Sequence, residues 1–236
     1  PYNYGDAQPD STLGVQLPAY IPEAPESRED FAALQGAVRE MDRAVAKIIE
    51  TLEKTSLLES TWLIFTTDHG IAMPRAKCTC YDPGIRTALM MLFPAGGIAG
   101  GRRIDALVSH VDMVPTILEA LELPIERRLH GRSYWSLLQG QESAHNTEIF
   151  AEKTFHTAYE PMRCIRTTTH KLIVNFEIDL AINVPGDIQH SPIYPLMLNE
   201  ITRTRKPVEL YDLILDPNET TNLAGTPELE KIERAL

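Results

Sequence analysis

The chain contains no apolar run near the roughly 18 residues that a membrane helix needs, and no signal-peptide pattern opens it. Cysteine is scarce: Cys78, Cys80 and Cys164 are an odd number without the C-x-x-C spacing of a metal site, and they say little about compartment. Cys78 and Cys80 flank one residue and would share a side of an extended segment, which leaves a structural zinc pair as a minor option. No G-x-S-x-G elbow occurs, so a Ser-His-Asp hydrolase has poor support. Cationic excess is missing too. A net charge of −11 argues against a nucleic-acid or anionic-membrane surface. It leaves an anionic substrate open, because a bound divalent ion with one or two Lys or Arg reverses the local potential. Internal repeats and low-complexity tracts are absent.

What is there suits a globular chain. Over 236 residues, 43% hydrophobic and 23% charged content is enough to bury a sizeable core. The chain starts at Pro1 without Met, which reads as processing or a longer parent. Pro1, Pro9, Pro18, Pro22 and Pro25 mark an extended loop. Ser27-Arg28-Glu29-Asp30 then has the form of a capping box. Phe31, Leu34, Val38, Met41, Val45, Ile48, Ile49 and Leu52 follow at helical spacing to about Lys54, predicting a helix that covers one sheet face, with Met41 in the core.

The most informative stretch is Thr61-Trp62-Leu63-Ile64-Phe65-Thr66-Thr67-Asp68-His69-Gly70. Thr61 to Thr67 reads as a buried strand, and it ends on a carboxylate beside an imidazole. In open α/β sheets ligands bind outside the carboxyl ends of strands. Asp68 and His69 there offer an oxygen and a nitrogen ligand to a divalent cation. The plain alternative is a turn-starting Asp next to an exposed His. A loop over 71–84, a second strand from Thr87 to Phe93, and an amphipathic helix after Ser109-His110-Val111-Asp112 follow. This alternation predicts a mainly parallel sheet with helices on both faces. From about Gln141 short strands succeed one another: Glu148–Ala151, Met162–Thr167, Lys171–Phe176 and Val208–Leu213. The middle pair suits a hairpin. They predict a small antiparallel sheet, closed by a terminal helix from about Pro227.

The sequence resembles the sulfatases of the alkaline phosphatase superfamily. Asp68-His69-Gly70 with Pro74-Arg75-Ala76-Lys77-Cys78-Thr79-Cys80-Tyr81-Asp82-Pro83-Gly84-Ile85-Arg86 carries the first match. Ser109-His110-Val111-Asp112-Met113-Val114-Pro115-Thr116 and His130-Gly131-Arg132-Ser133 with Leu137-Leu138 continue it. Arg163 to Asn175 and Glu209-Leu210-Tyr211-Asp212-Leu213, with Asp216-Pro217, complete it in the family's order. Phe155-His156 before Pro161-Met162-Arg163 is closest to the heparan N-sulfatase-like branch. The family's C-x-P-S-R motif, whose cysteine becomes formylglycine, is not in this sequence, nor are its early Asp-Asp metal pair and its sulfate-clasping Lys and His.

The resemblance implies an α/β fold, the C-terminal part of an alkaline-phosphatase-like α/β sandwich, over residues 1–145, with a small antiparallel β subdomain over 146–236. It implies hydrolysis of sulfuric esters or sulfamates by the parent enzyme, with this chain inactive by itself. Asp68 and His69 match metal ligands for calcium, with manganese, magnesium or zinc as alternatives, since imidazole is an unusual calcium ligand. Lys77 matches the basic residue that contacts sulfate and nucleophile. His156 is a candidate reader of a sugar substituent, with an ordinary loop histidine as its equal alternative. Formylglycine is expected from a missing N-terminal half, itself an implied partner, and a homo-oligomer stays open. The substrate class is a sulfated small molecule or carbohydrate. Periplasmic, secreted and lysosomal placement fit the resemblance, and cytoplasmic placement is not excluded. A phosphomonoester, phosphodiester or phosphonate hydrolase of the same superfamily is the rival enzyme reading, and a non-catalytic binding or structural module is the rival from another class. Arg75 and the histidines 130, 145, 170 and 190 read as surface residues. Arg86 reads as a structural ion-pair partner, and His110 with Asp112 as a helix cap and its neighbour.

Overall fold

A computed structural model describes residues 7–179, 184–201 and 204–236. The first six residues of the Pro1–Pro25 stretch therefore lie outside the described residues. In chain order the elements are α1 (Pro25–Lys54), β1 (Leu63–Thr66), α2 (Asp82–Ile85), β2 (Leu89–Leu92), α3 (Met113–Ala120) and α4 (Trp135–Leu138). Then come β3 (Glu148–Phe155), β4 (Tyr159–Thr167), β5 (His170–Asn175), α5 (Gly186–Gln189), α6 (Leu198–Ile201), β6 (Val208–Asp212) and α7 (Glu230–Ala235). No helix among the described residues is long and apolar enough to cross a membrane.

α1 begins at Pro25 behind an uncapped Ala24, not at a Ser27 capping box. Ser27 and Asp30 are instead buried, and Asp30 accepts a hydrogen bond from the Ser191 hydroxyl at 2.7 Å. A proline at the first helical position needs no hydrogen bond from its nitrogen, so the cap is dispensable. Phe31 anchors the start of α1 in a cluster with Met73, Ala76, Ile193 and Met197. Leu34 packs against that cluster, and Val45, Ile49 and Leu52 farther along are half-buried, but three positions of the stripe are exposed. Val38 is 48%, Met41 42% and Ile48 54% exposed, so Met41 is not core.

β1 and β2 pair antiparallel, Leu63 opposite Leu92 and Thr66 opposite Leu89, where a mainly parallel sheet was expected. A parallel return needs a crossover that climbs the length of the sheet. α2, with four residues, cannot supply one, and the chain simply turns back. β1 is half-buried because it has one strand neighbour among the described residues. Trp62 fixes its start, stacking on Phe93 at 5.6 Å and tilting against Trp135 at 5.6 Å.

The second sheet is antiparallel in the order β3-β4-β5-β6, with β4 and β5 forming the hairpin across Thr168-Thr169. Met162, Cys164, Ile173 and Tyr211 from one of its faces bury with Cys80 and Tyr81 of the loop after β1. That contact joins the small sheet to the segment carrying Lys77.

Candidate active site

β1 ends in a knot of hydroxyls. The Thr66 hydroxyl donates to the Ala88 carbonyl at 2.8 Å, and His110 Nε2 lies 3.0 Å from Thr66 Oγ1 and 3.1 Å from Thr87 Oγ1. The Thr66 proton is spent on a carbonyl, so His110 Nε2 is the donor to Thr66. His110 therefore ties the strand ends together. Asp112 does the capping, accepting from Ser109 N at 3.0 Å.

Two residues past the knot, the Asp68 side chain is 89% exposed and accepts the His69 backbone N–H at 3.0 Å. His69 Nδ1 lies 2.7 Å from the Gly70 carbonyl oxygen. A carbonyl only accepts, so Nδ1 carries a proton, and in the neutral ring Nε2 is the nitrogen with the lone pair. Nε2 sits 3.8 Å from Asp68 Oδ1. An imidazole oriented through Nδ1–H with Nε2 free is the arrangement that metal-ligating histidines adopt. The two donors suit one side of a cation site. They do not complete one, since a hard cation takes six or more oxygens and no group of three or more candidate ligands occurs among the described residues.

Gly70 is required by a close approach. A Cβ there would fall 1.9 Å from the Pro83 carbonyl oxygen, and Gly70 N donates to the Gly84 carbonyl at 2.8 Å. The loop between them coils tightly, with Met73 N and Lys77 N both donating to the Ile71 carbonyl, at 3.0 and 3.1 Å. Arg75 and Cys78 take left-handed φ of 62° and 65°. The left-handed turn at Cys78 breaks the extended alternation that would have aligned Cys78 with Cys80. Cys78 is half-buried, whereas Cys80 enters the core.

Lys77 Nζ donates to Asp187 Oδ2 at 2.6 Å, with its side chain 18% exposed. Burial pushes the Asp187 carboxyl up, but the hydrogen bond and charge of Lys77 hold it below the usual range. A cavity of about 30 Å³ beside Lys77, walled also by Arg75, Thr79, Tyr81 and Arg205, has room for a single water. His156 is exposed in the turn between β3 and β4, with no hydrogen bond or ion pair to Asp68, His69 or Lys77 among the described residues. It stands three positions from Lys153, whose ammonium donates to the Cys78 carbonyl at 2.9 Å.

Charges that the sequence did not single out fasten this loop to the small sheet. Lys171, fully buried, reaches Asp82 Oδ1 at 2.5 Å and Glu219 Oε1 at 2.7 Å. Arg166 grips both Asp82 oxygens, at 3.1 and 3.0 Å, and Asp82 N donates to Glu219 Oε2 at 2.6 Å. Burial raises the Asp82 carboxyl, yet Arg166 and Lys171 outweigh it and bring it to about 2. For Glu219 burial wins over Lys171, and its carboxyl lies above the usual range.

Three residues depart from expectation. Arg75 is not a surface residue: it donates to the Asn218 carbonyl at 3.1 Å and lies over the Tyr81 ring at 4.1 Å. Arg86 is exposed and makes no ion pair among the described residues, because Arg166 has taken Asp82, the carboxylate near that strand start. His145 is buried, 3.5 Å from Asp112 Oδ2 and edge-on to Tyr134. Asn146 draws it there by bonding Asp112 at 2.8 Å.

A sulfatase family model matches residues 1–123. The chain belongs to the sulfatase family. A second model, the C-terminal region of N-sulphoglucosamine sulphohydrolase, matches residues 74–193. Human N-sulphoglucosamine sulphohydrolase is 29% identical over 249 residues, spanning 95% of this chain and 49% of that protein. Among solved structures, a protein in complex with its substrate D-glucosamine-2-N,6-O-disulfate superposes with a TM-score of 0.66 at 21% identity, over 89% of this chain and 38% of the other. The phosphonate monoester hydrolase of Agrobacterium radiobacter also gives 0.66 at 21% identity, over 89% and 40%. These superpositions fix the fold as alkaline-phosphatase-like α/β. The sulfatase chain thus spans about half the length of the human relative.

Proposed function

We propose that this chain supplies the Asp68–His69 metal pair and the charge-stabilising Lys77 of a hydrolase for sulfuric esters or sulfamates. The observation that carries the proposal is the His69 ring, tied through Nδ1 to Gly70, with Nε2 free beside the Asp68 carboxylate past the end of β1. A divalent cation held there, calcium or alternatively manganese, magnesium or zinc, would neutralise charge gathering on a sulfuryl oxygen. Asp68 contributes the hard anionic ligand, and His69 the neutral one. Lys77 places an ammonium near the same loop, and an anionic substrate competes with Asp187 for it. His156, on the neighbouring turn, reads a substituent of a sulfated carbohydrate, in line with the substrate named for the superposed structure. Residues 1–145 form part of the catalytic layer, and residues 146–236 the subdomain that braces it.

The nucleophile must come from residues other than these, because no cysteine here stands in C-x-P-S-R. The bare stripe of Val38, Met41 and Ile48 supports a further half of the fold packing there. A phosphonate or phosphate monoester hydrolase is the second reading, favoured by the superposition on the Agrobacterium enzyme.

Hydrolysis of 4-nitrophenyl sulfate and of a phenyl phosphonate ester, with calcium or manganese, tests the proposal. The chain is assayed alone and joined to an N-terminal half bearing C-x-P-S-R. Sulfate turnover only in the joined protein, lowered at least about 100-fold by His69→Ala, is the expected result. Turnover by the chain alone, abolished by Lys77→Ala, would overturn the half-site. Preference for the phosphonate selects the second reading, and inactivity of both forms leaves a non-catalytic module.

A further inference from the structure

Lys77 and Asp187 are 110 positions apart, and one apolar cluster brings them together. Ala76, fully buried just before Lys77, and Ile188, 1% exposed just after Asp187, belong to it with Met73, Val184 and Ile193. The turn carrying Asp187 is braced from within. Ile188 N donates to the Pro185 carbonyl at 3.0 Å, and Gln189 Nε2 donates to the Val184 carbonyl at 2.7 Å. Asp187 therefore meets Lys77 from an anchored turn, at 2.6 Å, and not from the end of a free arm.

We propose that Asp187 is a charge filter, which lets the Lys77 subsite take a monoanionic group (a sulfuric ester, a sulfamate or a phosphonate monoester) and disfavours the dianion of a phosphate monoester. The inference rests on the reading of Lys77 as the residue that meets the substrate anion. An ammonium has three N–H donors, and among the described residues Asp187 takes one of those of Lys77. A ligand oxygen bonded to another would lie about 4.5 Å from the Asp187 oxygen, given the tetrahedral angle at Nζ. A monoanion placed there meets a pair whose charges cancel. A dianion brings a second charge that faces the Asp187 carboxylate without a cation matched to it. At that distance, in a partly exposed site, the repulsion corresponds to roughly 5- to 10-fold in binding.

The neighbouring charges do not undo the filter. Burial pushes the Asp187 carboxyl up, but its hydrogen bond to Lys77 and the Lys77 charge outweigh that, so it stays ionised. On the wall of the same cavity, Arg205 is bonded to Glu160 at 2.8 and 2.7 Å. Arg75 is bonded to the Asn218 carbonyl at 3.1 Å and lies over the Tyr81 ring. Glu200, also on that wall, adds a negative charge to the side that a dianion would approach.

The test is protection of Lys77 in the purified chain from acetylation by N-acetoxysuccinimide, read by peptide mapping at about pH 8, where phenyl phosphate is a dianion. Phenyl sulfate and phenyl methylphosphonate serve as monoanions of similar shape. In the parent chain the two monoanions should protect at similar concentrations, and phenyl phosphate should need roughly 5- to 10-fold more. Asp187→Asn should abolish that difference by improving protection by phenyl phosphate. Asp187→Ser, which also withdraws the acceptor from Lys77, should do the same. Asp105→Asn, an equal loss of charge at a residue paired with Arg103 and outside this cavity, should leave the ratio unchanged. Phenyl phosphate protecting as well as phenyl sulfate in the parent would overturn the charge filter and leave Lys77 as a substrate contact. So would a ratio that Asp187→Asn does not move. Absence of protection by all three ligands would remove Lys77 from substrate binding, and the filter with it.

Discussion

Lys171→Met is the most discriminating perturbation of the scaffold. The ammonium is fully buried between Asp82 at 2.5 Å and Glu219 at 2.7 Å, and methionine keeps its length while removing its charge. Asp82 retains Arg166, whereas Glu219 is left, among the described residues, with only the Asp82 backbone N–H. Breaking a buried pair by deleting one partner costs about 3–5 kcal/mol. At about 2–4 °C per kcal/mol for a chain of this size, the melting temperature should fall by roughly 6–20 °C. Urea unfolding supplies the free energy, and its pH dependence supplies the cause. Glu219 already sits above the usual carboxylate range through burial, and losing Lys171 raises it further. A carboxyl with a raised folded pKa is favoured in its protonated form. The variant should therefore lose more stability than the parent as pH climbs from about 5 to 8. Adding Glu219→Gln to Lys171→Met should recover much of the loss. A single variant within about 1 kcal/mol of the parent, with no pH trend, would refute the claim that this cluster holds the loop.

Asp82 carries the opposite sign. Its folded value of about 2 lies below the ordinary 3.8, so its contribution, roughly 2 kcal/mol, is complete above pH 4 and lost as pH falls toward 2. Acid titration of urea midpoints should show that loss, and Asp82→Asn should lack it. Gly70→Ala should destabilise the chain by about 1–3 kcal/mol and weaken manganese binding, because its Cβ would meet the Pro83 carbonyl oxygen at 1.9 Å. Gly186→Ala, whose Cβ has nothing within 4 Å, is the matched control and should change neither quantity.

Local pattern made several features legible in the sequence. The apolar run before Asp68 dictated a strand with the pair just past its end, since alternation and β-branching act within a few residues. The runs after Gln141 dictated four short strands, and Thr168-Thr169 between two of them dictated the hairpin. The helical spacing from Phe31 gave α1, but amphipathicity names an apolar face without naming what covers it. Met41 was read as core, and it is 42% exposed. Strand direction was likewise beyond local pattern, because it follows from the path of the connection and not from composition. The tertiary structure alone decided the long-range partners: Lys77 with Asp187 and Asp82 with Lys171. Those pairs are separated by 110 and 89 positions, and a charge carries no local periodicity that points to its mate. The Asp68–His69 pair was written in adjacent letters. The scaffold that holds Lys77 was written only in the fold.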